Sequence, residues 1–126
     1  PQTIGRRILV AWNGSTETAR ALSAARPLLA RSEAIQVLSV EGGMVSGPDV
    51  ELITAHLRAS GFNVQSKMAE SAGSTVGQVI VSEAKDFDAD LIIKGAFTRS
   101  RLRQLVFGGP TSEIFNHATC PVILCH

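Results

Sequence analysis

The chain has 126 residues, of which 44% are apolar and 18% charged, and its formal net charge is +1. This is the size and composition of one domain with one packed core, so a single domain over residues 1–126 is expected. The balanced charge, with no like-charge block, excludes a dedicated nucleic-acid binder, and no apolar run approaches the ~20 residues that span a bilayer, so neither nucleic acid nor membrane is an expected partner.

The start, Pro1 to Arg7, does not read as a signal peptide, because the apolar stretch behind the arginines is only a short strand. The absence of an initiator methionine points to processing or to a piece of a longer chain. Ile8 to Trp12 is an all-apolar run, the pattern of a strand buried on both faces. Asn13-Gly14 breaks it, and Ser15 caps a helix with Glu17 in its first turn. Ala19, Leu22, Ala25, Leu28 and Leu29 recur at helical spacing, with Pro27 placed to kink or shorten the helix. Ile35 to Val40 forms the second strand, and Gly42-Gly43 and Gly47-Pro48 mark a loop. Asp49 caps a second helix through Val50, Ile53 and Leu57 that ends near Ser60-Gly61.

Phe62 to Gln65 begins a third strand, on the outside of the sheet. Gly73-Ser74 opens a third helix with Val76, Val79, Ile80, Ala84 and Phe87 on one face, and Gly77 weakens it by about 1 kcal/mol relative to alanine. Asp90 to Gly95 is a fourth strand running into a glycine, followed by a long loop from Ala96 to Pro110. Thr111 to His117 reads as a short helix and Pro121 to Cys125 as the last strand. Strands separated by helices imply an α/β, doubly wound three-layer sandwich with a five-stranded parallel sheet and right-handed crossovers.

The cysteines, Cys120 and Cys125, have neither metal nor CxxC spacing, and in a strand their odd offset would turn them to opposite faces. Reduced thiols are expected, which fits a cytoplasmic location. His56, His117 and His126 show no ligand spacing, so no metal site is expected. Ser15 has no legible His or Asp partner and reads as a cap rather than a nucleophile. Asp86, Asp88 and Asp90 lack the closing glutamate of a calcium loop and read as a solvated turn.

The stretch from Gly95 to Thr111 leaves the carboxyl end of a buried strand and enters a helix N-terminus, where open α/β sheets hold ligands. Gly108-Gly109 allows close approach of a phosphate to the backbone. This loop resembles that of the universal stress protein family, G-x-x-G, nine residues, then G-S/T. Gly95, Thr98 and Gly108-Gly109 stand at those positions. Asp90 to Ile93, Ser100 to Arg103, Val106 to Gly109, Cys120 to Val122, Ile8 to Ala11 and the Asn13-Gly14-Ser15 turn carry the same likeness over nearly the whole chain.

The resemblance implies strand order 3-2-1-4-5, a Rossmann-like fold akin to adenine nucleotide α hydrolases, and ATP or another adenine nucleotide as the ligand. On the adenosine side it implies Ala11, Asn13 and Val40; on the phosphate side Gly95, Thr98, Gly108, Gly109 and Thr111, with Arg99 as a phosphate contact. Three residues depart from the family pattern: Asn13 for Asp, Thr98 for the second glycine and Gly109 for Ser/Thr. Two readings of the loop therefore stand, a nucleotide cradle and a surface turn without ligand. Lys94, Arg99, Arg101 and Arg103 are likewise either a phosphate clamp or solvated charge, the latter being favoured, and Trp12 reads as a core or rim aromatic.

The resemblance also implies a homodimer, or pairing with a second domain of the same family, through the last strand at the sheet edge. The reading of function is a non-enzymatic stress-response domain that acts by dimerisation and senses adenine nucleotide weakly. The alternatives are an ATP-binding member with slow hydrolysis and, less favoured, a nucleotide-dependent α/β enzyme.

Overall fold

The structure is a computed structural model and describes residues 4–44, 46–95 and 120–125. In chain order the elements are β1 (Arg7–Ala11), α1 (Thr16–Ala24), α2 (Arg26–Arg31), β2 (Ala34–Val40), α3 (Val50–Ala59), β3 (Val64–Ala69), α4 (Val76–Asp86), β4 (Leu91–Gly95) and β5 (Val122–Cys125). All four strand pairings are parallel, and the order is β3-β2-β1-β4-β5. The expected α/β sandwich and strand order are both present. The register sets Ala11 beside Leu38 on one side and Lys94 on the other.

The apolar strand runs bury both faces of the sheet. Ile8, Val10, Ile35, Val37, Leu91 and Ile93 point into one core with Leu22 and Leu29 of the first two helices and Leu57 of α3. Leu9, Ala11, Leu38, Val40 and Ile92 point into the other, against Val79, Ile80 and Ala84 of α4. Full burial of each such Leu, Ile or Val contributes roughly 1.5–3 kcal/mol. Because alternate residues serve opposite cores, a one-residue slip of β1 would exchange its two faces.

Local chemistry sets the helix ends. The Ser15 side chain accepts from Thr18 N, and the Asp49 side chain from Leu52 N, so both expected caps are present. The long first helix divides at Ala25, where φ is −88° and ψ is 3°, and Pro27 falls in the first turn of α2, where its missing N–H is tolerated. α4 starts later than the glycine signal suggested. Thr75 rather than Gly73-Ser74 caps it, and Gln78 answers with its side chain to the Thr75 backbone in a capping box. Thr75→Ala removes one half of that box and is expected to cost about 1 kcal/mol, read as a lower urea midpoint at unchanged slope.

Strand boundaries also differ from the sequence reading. β1 starts at Arg7 and stops at Ala11, although the Trp12 N–H still continues the ladder to Leu38 O at 2.8 Å. β3 runs from Val64 to Ala69, beyond the short alternating stretch, because pairing with β2 from Ile35 to Val40 outweighs its polar composition. On this open edge Lys67 reaches Glu83 of α4 at 2.7 Å, and that pairing raises the lysine pKa above its ordinary value. The Asp86–Asp90 turn is also more than a solvated link: Asp88 takes φ 58°, and Asp90 accepts from the backbone N–H groups of Gly5, Arg6 and Arg7. The proposed helix from Thr111 to His117 lies outside the described residues.

Cys120 precedes β5, so the strand parity that was expected to separate the two cysteines does not apply to it. It is a free thiol, half-buried, and burial followed by the nearby Asp90 charge pushes its pKa up. Among the described residues no helix is long and apolar enough to cross a membrane.

Candidate functional site at the carboxyl rim

In this strand order the chain reverses its direction of progress between β1 and β4, and the carboxyl ends of those strands flank the resulting crevice. Ala11 ends β1 there and Gly95 ends β4. Val40 ends β2 on the same rim, and the chain then turns back, with Gly43 N donating to Val40 O at 3.0 Å.

The Asn13 turn is locked by its own hydrogen bonds. Asn13 Oδ1 accepts from Ser15 N at 3.0 Å and from Thr18 Oγ1 at 2.8 Å. Ser15 Oγ accepts from Thr18 N at 3.1 Å and shares a hydrogen bond with Thr18 Oγ1 at 2.9 Å. The Ser15 N–H can only donate, so the atom facing it is the amide oxygen. With that oxygen engaged twice, the Asn13 amide meets anything in the crevice as a donor through its NH2 group. The expectation that Asn13-Gly14 forms a turn is met, and Gly14 takes φ 84°.

Gly95 packs directly on this turn. A Cβ at Gly95 would lie 2.5 Å from Thr18 N, 2.7 Å from Thr18 Oγ1 and 2.8 Å from the Glu17 carbonyl carbon. The close approach joins the end of β4 to the first turn of α1 and gives Gly95 a packing reason to be glycine, independent of any ligand. The loop after β2 closes the other side. Trp12, 3% exposed, donates from Nε1 to Pro48 O at 2.8 Å, and a Cβ at Gly47 would overlap the Gly14 carbonyl. Trp12 is thus a rim aromatic anchored in the core.

The structure therefore brings Ala11, Asn13, Val40 and Gly95 to one rim. Thr98, Arg99, Gly108, Gly109 and Thr111 lie outside the described residues, as do Arg101 and Arg103. Lys94 corrects the sequence reading: it is not solvated but 4% exposed, because it sits on a strand between two others and not on the loop that follows. Its Nζ donates to Gly95 O at 3.1 Å.

A cleft of about 310 Å³ adjoins Val40 and is lined by Ser39, Glu41, Met44, Met68, Ala69 and Glu70. Sequence reasoning missed Met44 and Met68 as rim residues. The only local signal was Met68 on an outer strand, where it is 74% exposed. Among the described residues no three His, Cys, Asp or Glu side chains converge on a metal position.

A doubly wound parallel sheet with a crevice at its strand-order reversal defines a Rossmann-like α/β domain. The universal stress protein family model matches residues 5–126, and the chain belongs to that family. Among solved structures it is similar to a universal stress protein from Archaeoglobus fulgidus DSM 4304, with 19% identity and a TM-score of 0.80. That alignment covers 97% of this chain and 44% of the other, so this chain spans less than half the length of that relative. A universal stress protein in complex with cAMP matches at 16% identity and a TM-score of 0.70, covering 98% of each chain. The Archaeoglobus fulgidus universal stress protein in complex with dAMP matches at 19% identity and a TM-score of 0.64, over 95% of this chain and 96% of the other. Comparison with curated proteins finds no match.

Proposed function

We propose that this chain is a stress-response domain that binds an adenine nucleotide at its carboxyl rim and acts by association through its last strand. The observation that carries the first part is the contact of Gly95 with Thr18. It holds the start of the glycine loop against the Asn13 turn, beside the ends of β1 and β2. The Asn13 amide then offers a donor to the nitrogen and oxygen acceptors of a nucleoside. Similar folds solved with cAMP and with dAMP support an adenine nucleotide as the ligand class. The phosphate side of the proposal falls to Gly95, Thr98, Arg99, Gly108, Gly109 and Thr111.

The second part rests on β5, which among the described residues pairs only with β4 and forms one edge of the sheet. An apolar edge strand is a template for a further strand unless it is covered, and a second copy or a second domain of the same family supplies one.

Mass spectrometry of the purified protein for co-purified nucleotide, followed by calorimetric titration with ATP, tests the ligand. Binding that tightens in a variant carrying Thr98→Gly and Gly109→Ser is expected. No retained nucleotide together with no heat at millimolar ATP would end the nucleotide reading. Sedimentation over a range of concentrations tests association, and a monomer throughout would end that part alone.

A further inference from the structure

We propose that the cleft beside Val40 is an oxidation site, where peroxide converts the thioethers of Met44 and Met68 to sulfoxides and the oxidised Met44 releases the loop between β2 and α3 from the sheet rim. The inference does not depend on the nucleotide reading.

Methionine ordinarily fills gaps in apolar cores. This chain has two methionines, and neither belongs to either core. Met44 is 39% and Met68 74% exposed, and both line the same cleft of about 310 Å³. The fold explains the place of Met68. β3 turns Val64, Ser66 and Met68 to the α3 side of the sheet. Val64 is buried there, and Ser66 Oγ lies 2.8 Å from Glu51 Oε1, in the first turn of α3. Met68 stands two residues further along β3, about 7 Å nearer the carboxyl rim and past the start of that helix. The cleft wall at this height comes instead from the chain leaving β2, through Glu41 and Met44.

Met44 is the apolar side chain that this loop places in the cleft. Just before it, Gly43 N donates to Val40 O at 3.0 Å, and a Cβ at Gly43 would lie 3.0 Å from Val76 Cγ1 of α4. Just beyond it, the Gly47 backbone packs on the Gly14 carbonyl, and Pro48 O accepts from Trp12 Nε1. A change at Met44 therefore acts on a segment that rests on the sheet rim at both of its ends.

The chemistry requires hydrogen peroxide and no catalyst. The thioether sulfur attacks one peroxide oxygen, the O–O bond breaks and an S–O bond forms. The other oxygen leaves as water, taking up the proton of the first. Sulfur is oxidised by two electrons and peroxide is reduced by the same two. Accessible sulfurs react first, and the product is a polar, chiral side chain. Beside Val40 and Ala69 a sulfoxide oxygen on Met44 loses its hydrogen bonds to water unless the side chain leaves the cleft. Met68 is already open to solvent and gives up little. Met68 is thus the faster target, and Met44 is the one whose oxidation moves the loop.

The test treats the native full chain with hydrogen peroxide, then with a thiol reductant to reverse cysteine products, and follows it by peptide mass mapping and amide hydrogen exchange. Each methionine is expected to gain one oxygen at a rate within about threefold of that in the urea-unfolded chain, Met68 ahead of Met44. Exchange across residues 41–48 is expected to quicken about tenfold in step with Met44. The Gly5, Arg6 and Arg7 amides held by Asp90 should not change. Methionine sulfoxide reductases should restore the slow exchange. Met44→Leu should abolish the response and Met68→Leu should preserve it. Native methionines that react tenfold or more slowly than unfolded ones, on the order of the protection a core gives, overturn the inference. So does full conversion of Met44 with exchange unchanged, and so does a response that survives in Met44→Leu. Should Met44→Leu fail to fold, reversal by the reductases decides. Each of these results leaves nucleotide binding to its own titration.

Discussion

Asp90→Ala is expected to lower the unfolding free energy by about 2–4 kcal/mol and the melting temperature by roughly 10 °C. Asp90 Oδ1 accepts from Gly5 N and Arg7 N, and Oδ2 from Arg6 N, each at 3.1 Å. The backbone of the same residue donates to Arg7 O at 2.9 Å. One carboxylate thus holds the entry of β1, a central strand, against the entry of β4, its neighbour. Alanine strips the partner from three N–H groups at once. Their partial exposure lets water replace some of the loss, which keeps the expected cost well below the sum of three buried charge-assisted bonds. Asp90→Asn retains one acceptor oxygen and should fall about midway. Urea unfolding of the three proteins decides the matter, and an alanine variant within 0.5 kcal/mol of wild type would show that the clamp is not structural.

Gly95→Val is expected to be as damaging, by about 2–4 kcal/mol, through overlap rather than loss. The atoms a side chain would meet are the Thr18 nitrogen at 2.5 Å and the Glu17 carbonyl carbon at 2.8 Å, which are backbone and cannot swing aside. Relief requires α1 to move away from β4, and the Asn13 turn moves with it because Asn13 Oδ1 is bonded to Thr18 Oγ1. Gly95→Ala should show a smaller loss of the same kind. Gly61→Ala is the control. It changes a glycine at φ +93° with nothing within 4 Å of the added carbon, so only conformational strain is introduced, with an expected cost of about 1 kcal/mol. Equal losses at Gly95 and Gly61 in thermal unfolding would remove the close approach as the reason for glycine at the end of β4.

Much of this architecture was legible because it is written locally. Apolar runs such as Ile8 to Ala11 and Leu91 to Ile93 announce buried parallel strands, and Ser15 and Asp49 announce helix starts, because each signal acts within a few residues. The start of α4 was equally local and still misplaced. The Gly73-Ser74 pair drew the boundary forward, whereas the Thr75–Gln78 capping box fixes it. What could not be read is what depends on distant partners. The three donors on Asp90 lie 83 to 85 residues away in sequence, so an aspartate in a turn gives no sign of them. Burial of Lys94 follows from having β1 and β5 on either side, which no window around the lysine contains. Gly95 was read as a ligand-contacting glycine, and its close approach to the first turn of α1, a second reason for glycine there, is a long-range contact that gave no local sign. The candidate site was legible as a place, at the ends of β1, β2 and β4, because strand order dictates it. Which way Asn13 turns its donor was not, because that depends on Thr18 reaching back across the turn.

The chain contains a single tryptophan. Trp12 follows β1 directly, is sealed from solvent, and is tied through Nε1 to the loop that leads into α3. Its fluorescence is therefore an intrinsic optical gauge of the crevice wall. Native emission should be blue-shifted, and any event that parts Pro48 from the indole will report as a red shift with no dye attached. The same signal will distinguish a disturbance confined to this wall from general melting, since the clamp at Asp90 sits at the opposite end of the strands.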